Sequence, residues 1–320
     1  MGKRWQNVIL IPAMAVMVGT GMAGQALATP VIVAGEGLRQ ENAGPGVQES
    51  VENEQQGAEQ TAVEQSATVE QSASEQATAE QPAAEHPAQR HLTPDETSNH
   101  YAGTHAEPIF RVKTDKPWVA LSFDAGADRG QAGAIMDVLE KYDLRSTFFL
   151  TADWMNQNPE DAKSIVARGH EIGNHSVNHP SFPKISRAQM DAQLQQTHQV
   201  AKKLTGVDMC LFRFPYGDYS NEAVDAVKAN GYYGIQWSVD SIDWRNEGRD
   251  IMVNRVLNHK NLGNGSIVLM HIAATYTSSA LEEIIQGIQA KGYQIVPVSW
   301  IIYENHYHMD YAGNQISDEQ

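Results

Sequence analysis

Cysteine is nearly absent: the 320 residues contain one, Cys210. That excludes a disulfide framework and any CxxC metal or redox site. Positive charge is also scarce, with 23 Lys and Arg against 39 Asp and Glu and a formal net charge of −16. No cationic cluster exists to neutralise phosphates, so a nucleic-acid partner is not expected. Long apolar runs are missing as well. The best candidate, Val8–Gly21, is interrupted by Pro12 and several glycines and is shorter than the ~20 residues of a spanning helix. There is no G-x-S-x-G nucleophile elbow, no phosphate loop and no H-x-H pair at the carboxyl end of an expected strand.

What is present divides into three parts. Residues 1–28 read as a signal peptide: Lys3 and Arg4 ahead of the apolar stretch, then Ala26-Leu27-Ala28 before Thr29. The expected location is secreted or cell-envelope, and an uncleaved segment would instead tether the chain to a membrane. Residues 29–108 carry 14 acidic residues against only Arg39 and Arg90. This stretch repeats Glu-Gln with Ala, Ser and Thr and has almost no apolar bulk to offset chain entropy, so it reads as a disordered linker. As a coil of ~75 residues it would span on the order of 50 Å. Residues 109–320 form the expected folded domain.

Within that domain strand and helix patterns alternate. Strands are expected at Pro117–Phe123, Ser146–Leu150, Glu171–Asn174, Met209–Phe214, Tyr233–Val239, Ser266–Met270 and Gln294–Trp300. Helices fall between them, the longest over Arg187–Leu204. Seven strands joined by helical crossovers imply an α/β fold with a parallel sheet, a small barrel. Asp124, His175, Arg213, Asp240 and His271 each fall at the carboxyl end of a different strand. Those ends converge on one face of such a barrel, where active sites are built. His175 and His179 are spaced so that a helical turn would bring both imidazoles to one ion, and Zn, Co or Ni suit nitrogen ligands. The terminal Asn305-His306-Tyr307-His308 reads as a solvated or packed terminus.

Five motifs stand in order: Ser122-Phe123-Asp124-Ala125-Gly126, His175-Ser176-Val177-Asn178-His179, Arg213-Phe214-Pro215-Tyr216, Asp240-Ser241-Ile242-Asp243-Trp244 and Leu269-Met270-His271. Together they resemble the polysaccharide deacetylases, the NodB-homology domain of carbohydrate esterase family 4, over nearly all of residues 113–302. The resemblance implies a distorted (β/α)7-type barrel, a divalent metal and an acetylated polysaccharide as substrate, peptidoglycan- or chitin-like. It implies Asp124 as catalytic base, Arg213 as its partner, His271 as general acid and Asp240 as the carboxylate orienting His271. His175 and His179 resemble the metal ligands. Tyr216, Trp244 and Leu269 resemble substrate-groove residues, with the Tyr216 backbone N–H as oxyanion contact.

One position departs from the pattern. The first motif normally carries two consecutive carboxylates, and the second binds the metal. Here that place is Ala125, so a weakly held metal, Zn first, is expected, with water or Asp128 in the third position. Three readings follow: an N-deacetylase, a catalytically impaired glycan-binding module, and an O-acetyl esterase of the xylan type. Because Asp124, Arg213, Asp240 and His271 retain their chemistry, the first is favoured.

Overall fold

The computed structural model describes residues 99–101, 107–126 and 128–319. The expected signal peptide at 1–28 and most of the expected 29–108 linker lie outside the described residues. Among those described, no helix is long and apolar enough to cross a membrane.

The sheet is built on β3 (Trp118–Ala125), which pairs in parallel with β4 (Thr147–Leu150) on one side and β9 (Ser266–His271) on the other. From β4 the ladder continues in parallel through β5 (Glu171–Asn174), β6 (Leu211–Arg213) and β7 (Tyr233–Ile235). The short β8 (Val239–Asp240) pairs with the far edge of β9, and β10 (Gln294–Ile295) pairs with the start of β3. The segment leading into β2 (Arg111–Lys113) draws the two ends of the sheet together. Ile109 N–H donates to Gly234 O at 2.8 Å and Ile109 O accepts from Gln236 N at 2.7 Å, beside β7, while Arg111 pairs with Ser266 of β9. The result is the expected α/β architecture, a parallel sheet curled into a distorted barrel.

Alternation along the strands divides the core in two. Leu121 and Phe123 join a cluster under the helices α1 (Ala132–Lys141) and α7 (Thr277–Ala290), with Ile135, Leu139, Leu281 and Ile284. Ala120 joins an inner cluster with Phe149, Leu211, Ile235 and Ile267, floored by Val298 and Ile301 of α8 (Val298–Ile301). Local signals place the helices. In α4 (Arg187–Thr205) the Ser186 side chain accepts from Gln189 N–H and Gln189 answers at the Ser186 N–H, a capping box. Gly206, at φ 77°, then ends the helix in the left-handed region.

The structure departs from the expected elements in four places. The strand expected over Tyr233–Val239 is two strands, β7 and β8, with different neighbours. The strand expected over Gln294–Trp300 stops at Ile295, and Pro297 leads into α8. The expected terminus is a hairpin instead. There β11 (Tyr307–Met309) pairs antiparallel with β12 (Asn314–Ser317), and β12 pairs in parallel with β2. Finally β1 (Asn99–Tyr101), inside the stretch read as linker, pairs with β11.

Candidate active site

The site lies at the carboxyl ends of β3, β5, β6, β8 and β9, as the sequence implied. Asp124 and His271 are register partners on adjacent strands, and Ile272 N–H donates to Asp124 O. The two principal titratable side chains therefore stand side by side because the β3–β9 ladder puts them there.

Arg213 is fully buried beneath Asp124. Its Nη1 donates to Asp124 Oδ1 at 2.7 Å, while Nη2 donates to Ser122 Oγ at 2.9 Å and Gln236 O at 3.2 Å. The guanidinium plane lies 4.0 Å from the centre of the Phe149 ring. Phe149 needs the absent side chain of Gly173 for that pose, because a Cβ there would lie 2.6 Å from the ring. Burial alone would raise the Asp124 pKa. The charge of Arg213, then those of His175 and His271, and the Arg213 hydrogen bond outweigh it and hold this carboxyl below its ordinary value. Asp124 is thus an ionised acceptor in a fixed pose.

His175 is buried, and its Nδ1 donates to Arg213 O at 2.9 Å. That bond sets the tautomer and leaves the Nε2 lone pair 3.5 Å from Asp124 Oδ2. The His179 ring lies 4.7 Å from that of His175, centre to centre. The segment between them is not the helical turn expected. Ser176 (φ 70°) and His179 (φ 61°) are left-handed, and short bonds pin the loop: Ser176 N–H to Asn174 Oδ1 at 2.9 Å, His179 N–H to Ser176 Oγ at 3.0 Å. Burial, then the neighbouring His175, push the His179 pKa down to about 4. Two imidazoles side by side, each with its pKa lowered first by burial and one with its ligating nitrogen already selected, fit a divalent ion as a two-nitrogen donor set. Ala125 is fully buried and offers no donor. Asp128 is exposed, and among the described residues no group of three His, Cys, Asp or Glu is assembled to hold a metal.

The partner of His271 is a correction. The carboxylate bonded to its imidazole is Asp243, whose Oδ1 accepts from Nδ1 at 2.7 Å, whereas Asp240 was expected there. Asp243 Oδ2 also accepts from the His271 N–H and from Thr277 Oγ1, each at 2.7 Å. Asp240 instead accepts the Ile242 N–H at 2.8 Å. That bond, with Ile242 left-handed at φ 51°, turns the chain so that Asp243 faces β9. Both carboxylates stand in the fourth motif, three positions apart, and only the turn decides which one reaches the histidine. Burial alone would lower the His271 pKa. The Asp243 hydrogen bond and charge, then Asp124 and Asp240, outweigh it and raise it above the ordinary imidazole value.

The expected groove residues fall around this centre. Tyr216 is 67% exposed and its ring packs 4.4 Å from that of His179. Its φ of 62° is strained for a side chain of that size. Trp244 is 53% exposed beside Asp243, and Leu269 is buried on β9. The arrangement supplies a fixed carboxylate base and a carboxylate-oriented imidazole acid on neighbouring strands, the pairing a hydrolase needs.

The polysaccharide deacetylase family model matches residues 111–235. The chain is similar to the uncharacterised protein YlxY of Bacillus subtilis, 32% identical over 207 residues, covering 65% of this chain and 64% of YlxY. It is also similar to a peptidoglycan-N-acetylglucosamine deacetylase of Bacillus cereus, 32% identical over 203 residues, covering 62% of this chain and 93% of that protein. Among solved structures it resembles a carbohydrate esterase family 4 pseudoenzyme from Bacillus anthracis. There the TM-score is 0.59 and the identity 29%, covering 65% of this chain and 72% of the other. With the fold, the five strand-end motifs and these relatives in agreement, the chain belongs to the polysaccharide deacetylase family.

Proposed function

We propose that this protein hydrolyses acetyl groups from an N-acetylated amino-sugar polymer of the cell envelope, and that it is exported to reach it. The observation that carries the reading is the pair of ion-paired catalytic groups on adjacent strands, Asp124 with Arg213 and His271 with Asp243. The deacetylase relative of Bacillus cereus supports the substrate class.

In this mechanism Asp124, held ionised, takes a proton from the water that attacks the acetyl carbonyl. Arg213 keeps the carboxylate aimed, since its fork and the Phe149 ring beneath it allow one pose. The Tyr216 N–H, presented by the strained turn Pro215–Gly217, donates to the developing oxyanion. His271, charged through Asp243, gives its proton to the departing amine, which leaves as the free amino sugar with acetate as the second product. His175 and His179 would hold a divalent ion, whose positive charge polarises the acetyl carbonyl and makes water more acidic. Leu269 and Trp244 would shape the pocket and groove.

A second reading, a glycan-binding module without turnover, is favoured by two observations: Ala125 offers no third metal donor, and a similar solved structure is that of a pseudoenzyme. Acetate release from N-acetylglucosamine oligomers and from peptidoglycan, with chelator and with added Zn or Co, separates the two. Release that depends on both Asp124 and His271 is the expected result. No release with any metal rejects catalysis.

A further inference from the structure

The opposite end of the barrel carries a feature that the catalytic reading leaves unused. At the amino ends of the strands a groove of about 370 Å3 opens between the start of β3 and the segment after α8. That volume lies in the ~300–1,000 Å3 range of small-molecule sites. Its walls include Trp118, Trp300 and Tyr303, and its rim carries Lys116, Glu304 and Asn305.

The Trp118, Trp300 and Tyr303 rings are half-buried against the inner core cluster, and the polar atoms of Trp118 and Tyr303 are bonded to the protein, so only the outer part of each ring is open for contact. Trp118 Nε1 donates to Gln294 Oε1 at 3.1 Å, and Tyr303 Oη donates to Lys113 O at 2.9 Å. Trp118 and Trp300 stand 6.3 Å apart, centre to centre, inclined at 58°, so both rings border the groove side by side. The exposed Lys116 ammonium lies over the Trp118 ring, 4.2 Å from its centre, so a sugar stacking on that face has to displace it. The axial C–H bonds of a β-linked pyranose carry partial positive charge and pack on the negative face of an indole. Ring hydroxyls and acetamides then meet the charged and amide side chains of the rim, and no buried apolar ligand would leave such a rim useful.

We propose that this groove is a second glycan-binding site, which holds the pyranose rings of an acetylated amino-sugar strand away from the catalytic end. The choice of sugar rests on the deacetylase reading. Trp118 and Asp124 are six positions apart on β3, ~20 Å at strand rise, so the groove engages a distant part of the same strand or a neighbouring strand. Two contacts on one polymer raise the effective concentration of substrate at the catalytic end.

The test is an NMR titration of the full chain with the N-acetylglucosamine tetramer, following the indole N–H signals of the six tryptophans. Saturable shifts of Trp118 and Trp300 are expected. Trp118→Ala should weaken that binding about tenfold, the size of one aromatic contact, while turnover of a small soluble acetylated sugar stays unchanged and turnover of insoluble peptidoglycan falls. Wild-type shifts confined to Trp244, or no indole shift at all, overturn the proposal even where acetate is released. Groove shifts without acetate release from any substrate reject the catalytic reading and leave the groove proposal standing.

Discussion

Asp243 decides the protonation chemistry of the site. His271 must carry a proton to act as acid, and its pKa is raised, so activity should persist above the ordinary imidazole range and fall as pH passes the raised value. Asp243→Asn removes the charge and the acceptor. The alkaline limb of kcat/KM should then move to lower pH, and kcat should fall by a factor on the order of 10² or more. An unmoved limb would assign the orienting role elsewhere, with Asp240 the next carboxylate. Ala125 tests the metal reading at the same scale. It is fully buried, and its side chain lies in the helix-side cluster with Phe123, not on the inner face with Ala120. Ala125→Asp should therefore lower Tm by several degrees in chelator, because an unpaired carboxylate is buried, and saturating Zn should recover most of the loss. No recovery would mean that the new carboxylate stays under the helices, out of reach of His175 and His179.

At the scale of elements, the β4–β5–β6 ladder builds the pose of Asp124, the proposed base. Gly173 makes room for Phe149, Phe149 supports Arg213, and Arg213 holds Asp124. Gly173→Ala places a methyl group 2.6 Å from the ring, which is overpacking worth ~1–3 kcal/mol. Loss of kcat beyond the change in the folded fraction is the expected result, with KM little altered. A variant that is merely less stable would show Gly173 to be a packing residue alone. The same elements show what was readable beforehand. The long helix α4 matches its expected bounds within a residue because its capping signals are local. The break between β7 and β8 was not legible, since Tyr233–Val239 has the composition of one strand and its two halves separate only by pairing with different neighbours.

At the scale of the whole molecule, the C-terminal hairpin belongs to the barrel. β12 pairs with β2 beside the closing segment, and the buried Gln315 side chain bonds both Tyr303 N and Tyr303 O at 2.8 Å. A chain ending at Ile302 should thus lose stability, with Tm lower by several degrees at ~2–4 °C per kcal/mol for a domain of this size. A chain starting at Ala106 keeps the Tyr219–Glu107 bond of 2.7 Å and the Ile109 contacts. It should release acetate from soluble oligomers as well as the longer chain does. Equal Tm for the chain ending at Ile302 and the intact chain would show the hairpin to be ornamental.

The sequence by itself determined the strand–helix alternation, the parallel sheet and the set of strand-end residues that meet at one face. Those follow from periodicities of two and 3.6 and from motifs short enough to be read along the chain. It also placed Asp124, His175, Arg213, Asp240 and His271 at strand ends where the structure finds them. Tertiary structure alone decided the rest, because each feature depends on which distant residues become neighbours. Asp243 rather than Asp240 bonds His271 because a left-handed Ile242 turns the chain between two carboxylates. The histidine loop is held by Asn174 and Ser176 instead of helical bonds. Trp118 and Trp300, 182 positions apart in the chain, become a pair only when β10 runs beside β3 and α8 packs under the barrel.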